Sequence, residues 1–222
     1  MTDPNSQEDS PSRPADAIAG RRRLVLGSAS PARLATLRSA GLDPEVIVSG
    51  VDESVVTTED PARLAVEVAT LKARAVAAQV SDALVIGCDS VLELDGDIHG
   101  KPADAHEATR RWRAMRGRSG VLHTGHCLID TVDGRELARA ADTVVHFADL
   151  SDAEIEAYVA TEEPLHVAGA FTLDGLGGAF VRGIEGDPHS VVGISLPLLR
   201  TMLAELGVGW TDLWTVHTKG AH

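Results

Sequence analysis

The spacing of apolar residues predicts that strands and helices alternate along most of the chain. Residues 24–26 form a short apolar run typical of a buried strand, and a helical pattern begins just past Pro31. The clearest buried strand covers residues 83–88, and we expect Asp89 at its carboxyl end. Ligands collect at that end in sheets built from alternating strands and helices.

A longer helix is predicted over residues 61–79. Its apolar stripe consists of Leu64, Val68, Leu71 and Ala75. At about 100° per residue, Lys72 lies about 80° from Leu64, at the edge of this stripe. The other predicted strands are residues 45–49, 91–94, 97–99, 121–130, 136–147 and 180–184, and the other helices are residues 104–115, 151–160 and 196–206. This mixed order predicts an α/β fold with antiparallel additions to its sheet.

Composition narrows the class of protein. Of the 222 residues, 44% are hydrophobic, and 20 Lys and Arg against 33 Asp and Glu give a formal charge of −13. Nucleic-acid binding is not expected, because it needs a broad basic surface. A small anionic substrate is compatible with this charge if a few cations, or a divalent metal, are concentrated in one cleft.

The ends of the chain suggest no export or membrane anchoring. Residues 1–20 are rich in Pro, Ser, Asp and Ala without periodicity, which predicts a disordered tail before a single domain over residues 21–222. The apolar run after residues 21–23 is too short for a signal peptide, and no run approaches the roughly 18 residues of a membrane span. We therefore expect a cytoplasmic protein without a membrane partner.

The turn after the first strand is the first candidate site. Ser28 and Ser30 are residue types that cap a helix, and Pro31 suits the first helical position. Backbone N–H groups at such a helix start attract an anion, and Arg33 could close on the same phosphate. The alternative is an ordinary capped helix.

Charged residues supply the other candidates. Asp89 ends an apolar strand and is either functional or the cap of a turn. Glu53, beside Asp52 in a polar loop, offers oxygen ligands for a divalent cation, or is simply a solvated acid. Lys101 lies between a glycine and a proline, which suits a phosphate contact, and Lys72 extends into either a cleft or solvent.

Two cysteines and two histidines are of types that form disulfides, reactive thiols or metal sites, but we do not favour these roles for them here. Cys88 and Cys127 lie in apolar runs and are expected to be buried reduced thiols; a disulfide or a reactive thiol is the alternative. His123 and His126 are a poor metal chelate, because residues three apart in a strand face opposite sides. Phosphate-binding P-loops, serine-hydrolase elbows, zinc-protease motifs and dinucleotide fingerprints are absent from the sequence.

Ordered motifs between residues 23 and 206 resemble the Maf family of nucleoside triphosphate pyrophosphatases, also called septum formation proteins. The matching pieces are Ser28-x-Ser30-Pro31-x-Arg33, Val51-Asp52-Glu53-Ser54, Lys72, Ile86-Gly87-Cys88-Asp89-Ser90, Gly100-Lys101-Pro102, Thr124-Gly125, Glu163-Pro164-Leu165-His166-x-Ala168-Gly169-Ala170-Phe171, Gly175-Leu176-Gly177, Ile184-Glu185-Gly186-Asp187 and Val192-Gly193-Ile194-Ser195-Leu196-Pro197-Leu198. The resemblance implies a mixed sheet with flanking helices and a central cleft.

The same resemblance implies a function and roles for residues. It implies a cytoplasmic homodimer that hydrolyses a nucleoside triphosphate to monophosphate and pyrophosphate with Mg²⁺ or Mn²⁺, removes modified nucleotides and has a link to cell-division arrest. By position, the catalytic residues are Asp89, Glu53 and Lys101, with Glu53 and Asp89 holding the metal. The residues that would bind the substrate are Ser28, Ser30, Arg33, Lys72, Lys101 and Asp174.

Two positions depart from the family pattern. Ala32 replaces an arginine that many members carry, so one phosphate contact is missing or supplied elsewhere. Asp174 replaces the glutamine of the branch associated with dTTP and UTP, and resembles the branch that takes CTP, UTP or methylated guanine nucleotides. A non-catalytic, nucleotide-binding regulator of septum formation is the alternative function, and a generic phosphatase is a third.

Overall fold

A mixed seven-stranded sheet with helices on both faces forms the centre of the computed structural model, which describes residues 22–215. The strands are β1 (Arg23–Leu26), β2 (Glu45–Val46), β3 (Ala83–Leu94), β4 (Asp97–His99), β5 (Ser119–Asp130), β6 (Glu136–Phe147) and β7 (Val181–Glu185). The helices are α1 (Pro31–Ser39), α2 (Pro61–Ala77), α3 (Ala105–Met115), α4 (Asp152–Val159), α5 (Pro188–Val192) and α6 (Leu196–Glu205). The predicted tail, residues 1–20, lies outside the described residues.

The order of strands confirms the predicted mixed sheet. Six strands follow the order β2-β1-β3-β5-β6-β7, and β4 pairs with β3. β1 runs parallel to both β2 and β3, whereas β3, β5, β6 and β7 form antiparallel pairs. The parallel part of the sheet therefore meets the antiparallel part at β3.

One edge of β3 is shared between two short strands. β1 pairs with β3 as far as Ile86, and β4 pairs with it from Leu92 onward. β5 occupies the opposite edge over nearly the whole length of β3. Within residues 22–215, no strand pairs with residues 87–91 on the edge shared by β1 and β4. We call this gap between the ends of the two strands the cleft.

The prediction that Asp89 ends a strand was wrong. β3 is one continuous strand of twelve residues, and Asp89 lies inside it. The strand continues because β5 pairs with both predicted segments without interruption. Asp89 nevertheless lies beyond Ile86, the last residue of β3 that pairs with β1, and this places it in the cleft.

Most other predicted boundaries agree with the structure to within a few residues. The main differences are that β2 has only two residues, and that α5 and several short 3₁₀ helices were not predicted. Ser151 begins α4 with a complete capping box. None of the helices between residues 22 and 215 combines the length and the hydropathy that a membrane span requires.

Two separate apolar layers cover the two faces of the sheet near the cleft. On one face, α2 packs on β1, β3 and β5 through small residues such as Ala69 and Ala73. On the other face, Leu37 of α1 and Leu199 of α6 pack against β1 and β3. Residues of β3 therefore contact different helices according to which face they point to.

Candidate active site

Lys72 joins the two acids that the sequence predicts at the site. Its Nζ lies 2.7 Å from Oδ1 of Asp89 and 2.8 Å from Oε1 of Glu53. The Lys72 side chain is 11% exposed, the Asp89 side chain 17% and the Glu53 side chain 53%. Both carboxylates thus contact one buried ammonium, Glu53 is the more exposed of the two acids, and Lys72 extends into the cleft rather than into solvent.

Local structure places Glu53 at this point. Asp52 caps a 3₁₀ helix, Glu53–Val55, by accepting hydrogen bonds from the backbone N–H and hydroxyl of Ser54 at 3.0 and 2.6 Å. These bonds lower the pKa of Asp52. Asp52 therefore orders the loop, and Glu53, next to it, reaches Lys72.

Arg33 lies on the other side of the cleft and is held by three groups. Its Nε donates to the carbonyl of Gly193 at 2.8 Å, and its two terminal nitrogens donate to the hydroxyls of Ser28 at 3.1 Å and Ser90 at 3.4 Å. Ser30 caps α1 by accepting from the backbone N–H of Arg33, which confirms the predicted cap. The guanidinium is thus fixed in orientation beside the end of β1.

Ser90 connects this arginine to polar groups on β5. It follows Asp89 directly on β3, so the two side chains point to opposite faces of the sheet. Its hydroxyl lies 3.0 Å from that of Thr124, which donates to the carbonyl of Ser190 at 2.9 Å. We did not predict a role for Ser90 or for the Gly193 carbonyl; the signal for both was their place in motifs that resemble the Maf family, and for Ser90 also its position directly after Asp89.

Lys101 makes no hydrogen bond or ion pair with any residue between 22 and 215, and it is exposed. Its loop nevertheless starts at the cleft. β4 is antiparallel to β3 with His99 opposite Leu92, so the chain leaving His99 continues towards the unpaired residues 87–91. Gly100 and Lys101 therefore lie across the cleft from the end of β1.

The loop that carries Asp174 contacts the same region through its preceding segment. The backbone N–H of Gly169 donates to the carbonyl of Gly100 at 3.1 Å. Asp174 itself is exposed, and the structure brings it into no contact with the Lys72 cluster. Its predicted contact with the substrate therefore stays a prediction.

The donor set suits a hard divalent cation. Oxygens of Glu53 and Asp89 both contact one nitrogen, so they can be no farther apart than the sum of those two distances. Between residues 22 and 215, no cluster of three or more His, Cys, Asp or Glu is arranged to hold a metal. Mg²⁺ often takes one or two carboxylates and completes its shell with water and substrate phosphates, which fits a two-carboxylate site.

The cysteines and histidines named from the sequence lie in other environments. Cys88 packs with the layer under α1 and Cys127 with the layer under α2, so the two thiols lie on opposite faces of the sheet and cannot form a disulfide. Burial raises the pKa of Cys88 to about 11 and that of Cys127 to about 12. His123 contacts Glu93 and Asp142.

Comparison with known proteins identifies the family. Residues 23–206 match the family described as Maf-like protein. A Streptomyces coelicolor protein is 63% identical over 196 residues, covering 87% of this chain and 95% of the relative. A Streptomyces avermitilis protein is 62% identical over 201 residues (90% and 98% covered), and a Salinispora tropica protein is 61% identical over 202 residues (89% of each).

Each of these three relatives bears the name nucleoside triphosphate pyrophosphatase. The family match covers the whole of the sheet and every residue of the cleft described above. The three alignments cover between 89% and 98% of the relatives, at identities of 61% to 63%. This chain therefore belongs to the Maf-like protein family.

Proposed function

We propose that this chain is a nucleoside triphosphate pyrophosphatase that acts in the cleft beside β3. The observation that carries the proposal is the buried Lys72, which holds Glu53 and Asp89 together at the unpaired edge of the strand. Arg33 and the loop of Lys101 flank the same edge and supply positive charge for a triphosphate. The names of the relatives support the same activity.

The proposed reaction is attack of water on the α-phosphorus. Asp89 accepts a proton from the water as its oxygen bonds to phosphorus. The bond between the α-phosphorus and the oxygen that bridges to the β-phosphorus breaks, and that oxygen leaves with the electron pair as part of pyrophosphate. Ser28, Ser30, Arg33 and Lys101 would bind the phosphates, and Lys72 would offset their charge.

Glu53 and Asp89 would hold the divalent cation, Mg²⁺ or Mn²⁺. A bound cation supplies charge neutralisation at the phosphates and lowers the pKa of a coordinated water. Glu53, whose side chain is 53% exposed, is the more accessible of the two acids to a cation from solvent.

Asp174 is the proposed determinant of base preference. A carboxylate accepts hydrogen bonds only, so it favours a base that presents an amino group. This agrees with cytosine or a methylated guanine rather than thymine, and with removal of modified nucleotides. Ala32 offers no cation, which leaves Arg33 as the arginine of this turn.

Release of pyrophosphate from a panel of nucleotides, with Mg²⁺ or Mn²⁺, tests the proposal. We expect pyrophosphate as the first product of the parent chain, and loss of at least about 100-fold in kcat for Asp89→Asn. Nucleotide binding without release would instead support a regulator of septum formation. Orthophosphate as the first product would indicate a generic phosphatase.

We also propose a homodimer in the cytoplasm. Val46 in the short edge strand β2 and Val48 just after it are 40% and 59% exposed, and a second copy could cover these apolar side chains. Two buried free thiols suit a reducing compartment. Light scattering after size-exclusion chromatography tests the dimer, and a monomeric mass for the parent chain would contradict it.

A further inference from the structure

We infer that Arg111 and Glu107 of α3 are positioning residues that hold the Lys101 loop in place for phosphate binding. The inference rests on the proposed function, since it assigns to Lys101 a contact with the substrate. It concerns two residues that do not themselves reach the cleft. The structure shows this pair bonded to the backbone on both sides of Lys101.

Arg111 fixes the residue before Lys101. One terminal nitrogen of its guanidinium donates to the carbonyl of Gly100 at 2.5 Å, and the other donates to Oε1 of Glu107 at 2.5 Å. The Gly100 carbonyl also accepts the N–H of Gly169. Two donors on one carbonyl leave the peptide before Lys101 little freedom to rotate.

Glu107 fixes the other side of the loop. Its second oxygen, Oε2, accepts the backbone N–H of Ala103 at 2.7 Å. This bond, followed by the bond from Arg111, lowers the pKa of Glu107, so the side chain is charged at neutral pH. The ion pair therefore spans the three-residue step from Gly100 to Ala103, with Lys101 and Pro102 between its two ends.

Burial distinguishes Arg111 from the other arginines of the same helix. Its side chain is 10% exposed, whereas that of Arg110 is 66% exposed and that of Arg113 is 46% exposed. Its Nε is buried and, among residues 22–215, has no hydrogen-bond partner. Burying a guanidinium with an unsatisfied donor is unfavourable, so an ordinary surface ion pair does not explain the arrangement.

Lys101 itself has no such support. Its ammonium forms no bond with any residue between 22 and 215, so the backbone of its loop alone sets where the side chain starts. A displacement of the order of 1 Å in a group that binds the reacting phosphates lowers rates by up to about 100-fold. By fixing the backbone of the loop, Arg111 and Glu107 would therefore control the contact between Lys101 and the phosphates without adding a charge to the cleft.

The test is a double-mutant cycle between Arg111→Met and Lys101→Ala, with pyrophosphate release as the assay. Methionine keeps the apolar stem and removes the guanidinium. We expect Arg111→Met to lower kcat/KM about tenfold, mainly through KM, and Arg111→Lys to recover part of the loss. In the Lys101→Ala background, the further loss from Arg111→Met should shrink to less than about twofold, because the positioned group is gone.

Arg110→Met is the matched control. It removes an arginine next to Arg111 on the same helix whose only contact with Glu107 is a 3.9 Å ion pair, and we expect parent activity. Thermal unfolding of each variant reports whether the fold is intact. If Arg111→Met does not fold, Glu107→Gln replaces it in the same cycle.

Two results would overturn the inference. One is parent kcat/KM in a folded Arg111→Met variant, and the other is an equal loss with and without Lys101, which would show a structural effect unrelated to that side chain. Absence of pyrophosphate release from the parent chain would instead overturn the proposed function. Failure of the inference is therefore seen in the Arg111→Met variants, and failure of the proposed function in the parent chain.

Discussion

The carbonyl oxygen of Ala69 lies 2.2 Å from the position that a Cβ atom on Gly87 would occupy. The backbone of α2 therefore rests directly on β3 at this glycine. Gly125, on the neighbouring strand β5, makes a similar approach to the backbone of Ala65. Since Gly87 and Asp89 point to the same face of β3, this close packing brings Lys72 within bonding distance of Asp89.

The first prediction concerns Gly87→Ala. The added methyl group meets backbone atoms, which cannot rotate away, so α2 must move off the sheet. We expect the free energy of unfolding in urea to fall by about 3 kcal/mol, and kcat/KM of the folded fraction to fall as Lys72 leaves Asp89. Gly183→Ala on β7 is the control, because its nearest neighbour would lie 3.9 Å away. Equal stability of Gly87→Ala and the parent would contradict the packing argument.

The second prediction concerns Lys72→Met, which keeps the length of the side chain and removes its charge. Asp89 and Glu53 then lose their shared partner, and two like charges face each other across the gap. We expect kcat/KM for pyrophosphate release to fall about 100-fold. Arg74→Met, two residues along α2, removes an arginine that is 66% exposed and pairs with Glu136, and should leave activity unchanged. A Lys72→Met variant as active as the Arg74→Met control would be inconsistent with the site.

Local signals predicted the parts of the fold that depend on neighbouring residues. Ser30 and Pro31 predicted the start of α1, and the structure confirms it. The prediction for the buried face of α2 was wrong. The sequence placed Lys72 at the edge of a stripe formed by Leu64, Val68, Leu71 and Ala75, whereas the structure buries Ala65, Val68, Ala69, Lys72, Ala73 and Val76, with Lys72 in the middle of that face. Periodicity located the helix but not the side that packs on the sheet, because the alanines of the buried face are less apolar than the leucines beside it.

Features that depend on strand pairing could not be predicted in the same way. The apolar run before Asp89 ends at Cys88, yet the strand continues to Leu94 because β5 pairs with it as far as Glu93 and β4 pairs with its last three residues. Pairing between distant segments leaves no local trace in a polar stretch. The hydrogen bond from Arg33 to the Gly193 carbonyl could not be predicted for a related reason. The carbonyl is a backbone group that any residue would supply.

The third prediction concerns the two thiols. Both cysteines are fully buried, and their raised pKa values leave on the order of a thousandth or less of each as thiolate at about pH 8. We expect Cys88 and Cys127 to react with an aromatic disulfide reagent only after unfolding, when two thiols per chain are released. Rapid labelling of the folded protein would show that one of them is accessible.

The fourth prediction concerns the acid stability of the fold through His126. Burial, and to a lesser extent the charge of Arg33, lowers the pKa of His126 to about 4, whereas Asp187 and a hydrogen bond to the Thr124 carbonyl act in the opposite direction. Its Nε2 accepts the backbone N–H of Ser195 at 2.8 Å, and Ser195 is the residue that caps α6. A protonated imidazole cannot accept this bond.

The sign of the pH dependence follows from proton uptake. Between about pH 6.5 and about pH 4 the unfolded chain binds a proton at His126 that the folded chain does not, so stability falls as the pH falls through this window. The full loss is about 3 kcal/mol and levels off below about pH 4. Urea unfolding at several pH values measures it.

Two histidine variants separate His126 from the other groups that titrate in this range. His126→Leu removes the titrating group, so the fall in stability between about pH 6.5 and about pH 4 should become shallower. It also leaves the N–H of Ser195 without an acceptor, which should lower stability at neutral pH by about 1–3 kcal/mol. His106→Leu, at an exposed position on α3, should keep the parent slope. The same steep slope in His126→Leu as in the parent would assign the acid sensitivity to other residues, because the imidazole that links β5 to α6 would then contribute nothing to it.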